Sequence, residues 1–289
     1  MSTSVNTHHN WLRRSVATVA IFATFNVMAF PASAQSALEK LKKAGAVVGL
    51  STEPPWSDIK QDGSMGGAMP EMDIAILKVM GVNSVKGEFM EFGALIPSLL
   101  SKRTDLNSSL LYISPARCEA VIFAKPSTCN VETLIVNVET AGAVNSYADI
   151  AAKSLKIALI PGSKPAEWAN EAGVQQSNRI AFHDYVDAMK LLKDGRVDVV
   201  PAADSTAADI MPKFGDPAKQ KVVPLQDKLL CGAASFRKDD TELRDAYNVA
   251  FEKLLRDGTI KKILDKYDLG YTLDYIDTVT TEKLCSTAP

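Results

Sequence analysis

Short apolar runs alternate with amphipathic stretches from Ala46 to Tyr267. That alternation confines the chain to an α/β architecture, in which strands form sheets and helices cover them. The expected strands are Ala46–Leu50, Glu88–Glu91, Leu110–Ile113, Val131–Val138, Leu155–Ile160, Val197–Val200, Lys221–Leu225 and Ala233–Phe236. Helices are expected over Pro70–Met80, Ala94–Lys102, from Pro165 onward, over Asp184–Leu192, Asp240–Leu255 and Thr259–Tyr267. The first of these carries Pro70, the acids Glu71 and Asp73, and then Gly81 in the places that helix termini favour. Asp62-Gly63-Ser64-Met65-Gly66-Gly67 reads as a hairpin tip. Chain crossings near 137–141 and 229–233 imply a discontinuous first lobe, 35–138 plus 232–289, and a continuous second lobe, 139–231. A hydrophobic content of 46% supports a full core divided between two such lobes. A cleft between hinged lobes is a natural small-ligand site that can close by domain motion.

The N-terminus bears on the compartment. Arg13 and Arg14 precede an uncharged, mostly apolar run from Val16 to Phe30, followed by Pro31 and Ala32-Ser33-Ala34. This is the order of a cleavable secretory signal over residues 1–34. The run has 15 residues, against roughly 20 for a membrane-spanning helix. Ser15-Val16-Ala17 lacks most of a twin-arginine pattern. From Gln35 onward no segment is long and apolar enough to cross a bilayer, so the mature chain is expected in a bacterial periplasm.

Losing residues 1–34 removes two positive charges and takes the net charge from −2 to −4. A mildly acidic surface argues against nucleic acid as a partner. Only His183 survives cleavage, so no histidine cluster is left for zinc, and no cofactor or metal is expected. Cys118, Cys129, Cys231 and Cys285 are an even set in an oxidising compartment, with no CxxC pair. Of the three pairings, Cys118–Cys129 with Cys231–Cys285 is favoured. The first would close a short loop beside Arg117, and the second would tie back the C-terminal tail.

Three segments carry a set of side chains suited to recognition: Glu53-Pro54-Pro55-Trp56, Glu91-Phe92-Gly93 and Tyr112-Ile-Ser-Pro-Ala-Arg117-Cys118. Trp56, Phe92 and Tyr112 can present π-faces to a delocalised cation. Arg117 can clasp a carboxylate in a two-pronged pair. Together with Glu53 the set suits capture of a small zwitterion and not chemistry upon it. Each residue also has a structural alternative. Trp56 could be a plug on its own lobe, Phe92 core beneath the Leu95/Leu99 helix, and Tyr112 core at a strand end. Arg117 could partner Glu119, and Glu53 could cap backbone N–H groups. Asp198 reads as a structural hydrogen-bonding group, while Glu167 and Trp168 suit either a cleft wall or an exposed helix face.

Over 38–285 the chain resembles the periplasmic solute-binding proteins of polar amino acid ABC importers. Within that family it is most similar to the ectoine/hydroxyectoine-binding proteins. The resemblance is carried by Glu53-Pro-Pro-Trp56, Phe92-Gly-Ala-Leu-Ile-Pro97, Pro115-Ala-Arg117-Cys118, Cys129, Asp194-Gly195-Arg196-Val197-Asp198, Cys231-Gly-Ala-Ala-Ser-Phe-Arg-Lys238 and Glu282-Lys-Leu-Cys285. It implies a two-lobed type II binding-protein fold, with the ligand in the cleft and an inner-membrane permease as partner of a monomer. It further implies that Phe92 and Tyr112 flank a ring-shaped ligand, that Arg117 holds its carboxylate and that Glu53 meets its cationic edge. Position 56 usually carries Phe in that subfamily and position 112 more often does; here they are Trp and Tyr. At Pro161-Gly162-Ser163-Lys164-Pro165, relatives place a Gly-Gly-Thr type turn that grips the carboxylate. Pro165 removes both an N–H and a hydroxyl there, leaving Ser163 and Lys164 as donors. Amino-acid binders of the family tend to use an acid after the Val-Asp strand for the ligand ammonium. Asp204, six residues after Asp198, fills that place one residue late. The expected function is therefore binding and delivery of ectoine or hydroxyectoine, with a polar or cationic amino acid as the alternative. The same fold also serves periplasmic cyclohexadienyl dehydratases; Glu167, the acid nearest the second-lobe turn, is displaced from their register.

Overall fold

The computed structural model describes residues 36–286, and the expected signal segment lies outside them. Two five-stranded sheets organise the described chain. In the first, Ala46–Leu50 lies parallel to Val85–Phe89 on one side and to Leu106–Asn107 on the other. Ser235–Arg237 returns late in the chain to run antiparallel between Leu106–Asn107 and Val121–Phe123. The second sheet runs in the order Gln220–Gly232, Thr128–Asn137, Val199–Ala203, Ile157–Leu159, Arg179–Ala181. Two sheets, each with its own helices, is the α/β arrangement that the alternation of the sequence implies.

The two long strands, Thr128–Asn137 and Gln220–Gly232, pair antiparallel from Thr128↔Gly232 to Asn137↔Gln220, with a register shift between Leu225 and Leu229. The expected strands Val131–Val138 and Lys221–Leu225 cover only part of this ribbon. Its other half carries small and polar residues (Thr128, Asn130 and Gly232) that give no apolar run. The segment Leu110–Ile113 is buried but does not form the third strand expected of it. Leu110 takes a left-handed φ of 44°, and Tyr112 makes a single bridge to Gly232. The ladder is supplied instead by Leu106–Asn107, where Asn107 Nδ2 donates to Ser235 Oγ at 3.0 Å.

Two helices of the second sheet start at side-chain caps. Ser163 Oγ accepts from Ala166 N–H at the head of Lys164–Glu171, and Asp184 Oδ1 from Asp187 N–H at the head of Tyr185–Lys193. Asp204–Phe214 is a helix of 11 residues that periodicity does not reveal, because Pro212 and Ala207-Ala208 break its apolar stripe. Thr241–Arg256 packs against Ala68–Val79 over the first sheet. There Tyr247 Oη and Ser108 Oγ both donate to the buried carboxylate of Asp73. Among the described residues, no helix is long and apolar enough to cross a membrane.

The cysteines pair differently from the arrangement favoured above: Cys118 with Cys285, and Cys129 with Cys231. The ribbon decides this. Cys129 and Cys231 are register partners on adjacent strands, with Cα atoms 4.0 Å apart. Cys118, at the end of the short helix Pro115–Cys118, is left to hold the C-terminal helix Thr281–Ser286. The Cys129–Cys231 bond spans 102 residues of chain. A double variant with both changed to Ala is expected to lose about 2–5 kcal/mol of stability through the freed loop. Urea denaturation reads this directly, and an unchanged midpoint would show that strand pairing alone holds the ribbon.

Candidate functional site

The ends of both sheets meet at a cavity of about 20 Å³, close to the space one water needs and too small for a ring-bearing solute. From the first-sheet side its wall is Glu53, Phe92 and Tyr112; from the second-sheet side it is Glu132, Ile160, Ser163, Lys164, Pro165, Phe182, Tyr185 and Pro201–Ala203. Glu53 and Phe92 also line a wider opening of about 390 Å³, with Thr52, Glu91, His183 and Asp184 around it. Across that mouth, His183 Nδ1 lies 3.0 Å from Glu91 Oε2. This is a contracted cleft with a vestibule.

Backbone geometry explains how the two sides come so close. Gly162, at φ 78°, meets Gly93: a Cβ on Gly162 would stand 3.1 Å from Gly93 Cα, and one on Gly93 would stand 3.2 Å from Pro161 O. Any side chain at either position would hold the two segments apart.

Arg117 sits at this contact, 5% exposed. Its guanidinium donates to Tyr112 O at 2.7 Å and across the gap to Gly162 O at 2.9 Å. It lies 5.7 Å from the Phe92 ring centroid and 3.8 Å from Glu167 Oε1. Burial lowers its pKa from the usual arginine value, while Glu167, Tyr112 and Glu53 oppose that shift. Lys164 is held by Glu167 at 2.9 Å and stands over Trp168. Burial pushes Glu53 up to about 8, against the pull of Arg117.

Of the expected site residues, Glu53, Phe92, Tyr112 and Ser163 line one cavity, with Arg117 against Phe92 beside it. Trp56 does not reach the cavity wall. It is fully buried, and its Nε1 donates to Ser205 Oγ at 3.0 Å. Asp204 is likewise set aside from the wall and accepts from Ser205 N–H at 2.8 Å. Further hydrogen bonds come to it from Val131 N–H and Tyr271. Asp198 does hold backbone, accepting from Lys156 N–H at 2.8 Å.

Sequence reasoning missed Glu132, Phe182 and Tyr185. Glu132 lies inside the buried strand Thr128–Asn137 and is fully buried. Tyr147 Oη donates to its Oε1 at 2.7 Å, and its Oε2 has no hydrogen-bond partner among the described residues. Burial pushes it up to about 8, opposed by the Tyr147 bond and reinforced by the neighbouring acids Glu53 and Asp204. A lone acid within Val131-Glu-Thr-Leu-Ile-Val136 was the available signal, since an ionisable group in a buried run needs a reason. Phe182 and Tyr185 offered no comparable signal. Their rings, with centroids 5.3 Å apart, read as ordinary core.

Residues 46–270 match the family of bacterial extracellular solute-binding proteins, family 3. The chain belongs to that family. It is 30% identical over 260 residues to a probable amino-acid ABC transporter periplasmic-binding protein, y4tE, of Sinorhizobium fredii, covering 86% of each chain. Among solved structures it is similar to EhuB in complex with hydroxyectoine, at 34% identity and a TM-score of 0.81, over 87% of this chain and 98% of that one. It is also similar to a mutant of arginine-bound ArgBP from T. maritima, at 26% identity and a TM-score of 0.66, over 75% and 100% of the two chains. The fold is thus the two-lobed type II binding-protein fold. The protein is a solute-binding component of an ABC importer that delivers a small ligand to a permease.

Proposed function

We propose that this protein captures a small zwitterion with a delocalised cation, ectoine or hydroxyectoine first, in the periplasm after loss of residues 1–34. The observation that carries the reading is the convergence of Phe92, Tyr112 and Glu53 on one cavity wall, with the Arg117 guanidinium over Phe92. Rings and an acid suit the cation, and the guanidinium suits the carboxylate. Similarity to a hydroxyectoine complex supports the same class. Ser163 is the proposed hydrogen-bond donor from the second lobe. The moving bodies are proposed as 35–138 with 232–289 and 139–231. Opening them would enlarge the cavity, and ligand would stabilise the closed form only by its preference for that form. A monomer serves this cycle without a cofactor.

A cationic amino acid is the second reading, favoured by the additional acid Glu132 on the cavity wall and by the arginine-bound neighbour. Calorimetric titration of protein unfolded and refolded to strip carried ligand separates them. Saturable heat with ectoine, with a dissociation constant on the order of micromolar or below (about −8 kcal/mol), is the expected result. Heat with arginine and silence with ectoine would overturn the ectoine assignment in favour of the second reading.

A further inference from the structure

The cavity holds an acid, Glu132, that the ectoine reading above gives no role. Glu132 stands opposite Ala203 in the register of the second sheet, one residue before Asp204, whose carboxylate is occupied by backbone N–H groups and Tyr271. The place where an acid would be sought, at the end of Val199–Ala203, is thus served from the facing position on the adjacent strand. One Glu132 oxygen is held by Tyr147. The other is unpartnered among the described residues, at a wall shared with four aromatic rings. A carboxylate buried in this way is costly unless it is neutral or meets a cation. Lys164, the cation on the same wall, is engaged by Glu167 instead.

We propose that Glu132 is the specificity-determining residue for the ligand's cationic group, its Oε2 accepting an N–H from an amidinium or guanidinium whose carboxylate faces Arg117. This rests on the reading of the cavity as a zwitterion site, and it identifies the charged group that the second-sheet side selects. The groups facing Glu132 are Tyr147, Glu53, Asp204, Tyr112 and Tyr185, with Lys164 on the same wall. In the ligand-free site Glu132 holds a proton below about 8. A cation binding there favours the ionised form, so the proton leaves to solvent as the N–H···O⁻ contact forms. Affinity then rises with pH between 6 and 8, by up to about tenfold per unit.

The experiment is calorimetry of wild type, Glu132→Gln and Tyr147→Phe with ectoine and L-arginine as probes, in two buffers of different ionisation enthalpy. Glu132→Gln is expected to weaken the bound probe about 10- to 100-fold and to lower proton release to the share that Glu53 carries. Tyr147→Phe, which removes a structural contact and keeps the carboxylate, is expected to retain binding within a few-fold together with proton release. Equal affinity and unchanged proton release in Glu132→Gln would assign the proton to Glu53 and overturn the proposal. If Glu132→Gln does not fold, pH-independent binding by wild type with no proton release overturns it equally. Wild type binding arginine but not ectoine would defeat the ectoine reading while leaving Glu132 in its role. Silence to both probes would overturn both.

Discussion

Arg117→Ala is expected to lower affinity for any carboxylate ligand by about 10²- to 10³-fold, corresponding to roughly 3–4 kcal/mol. Three consequences of the substitution add up. The ligand loses its charge-assisted, two-pronged partner. The carbonyls of Tyr112 and Gly162 lose the donor that joins them across the gap. Glu167 is left with Lys164 alone. Arg117→Lys separates these effects, because it keeps the charge but cannot reach both carbonyls and a carboxylate with a single ammonium. An intermediate loss, about tenfold from wild type, is expected there. Titration calorimetry gives the affinities, and thermal melting without ligand gives the structural share. A melting temperature that falls while affinity is unchanged would make Arg117 a strut of the closed cleft, with the carboxylate site elsewhere.

What was legible in the sequence follows from how local each signal is. Capped helices and apolar strands were readable because their patterns lie within a dozen residues. The site residues on the first-sheet side were readable as types because Glu53, Phe92, Tyr112 and Arg117 stand in short segments next to Pro or Gly. Contacts made by distant pairing were not readable. Cys129 and Cys231 meet because two strands 102 residues apart run in register, and nothing near either cysteine encodes that. The same holds for Glu132. Its strand was visible, but its aim into the cavity depends on which face the second sheet turns toward the first. Asp204 follows the strand Val199–Ala203, whereas Glu132 pairs with Ala203 from the adjacent strand, a neighbour relation that no local pattern records.

Trp56 shows how a side chain suited to one role can be recruited to another, and its variants carry the second large effect. Trp56→Ala is expected to destabilise the protein by about 3–5 kcal/mol, because a fully buried indole leaves a cavity that the two adjacent prolines cannot collapse into. That result alone does not tell packing from ligand contact, but Trp56→Phe does. Phenylalanine keeps a π-face and most of the apolar burial while deleting the donor to Ser205, which heads the helix Asp204–Phe214 on the opposite side of the cleft. If the bond serves closure, Trp56→Phe and Ser205→Ala should each weaken binding by a similar factor, about 2- to 10-fold for one lost hydrogen bond. The double variant should then be no weaker than either single one, because both remove the same contact. If Trp56 instead faces the ligand's cation, Ser205→Ala leaves affinity untouched and the two changes are independent. Full additivity in that cycle, measured by calorimetry with whichever solute binds, would return Trp56 to the aromatic box. A shared, non-additive loss would fix it as the clasp that holds the helix against the Glu53–Trp56 loop.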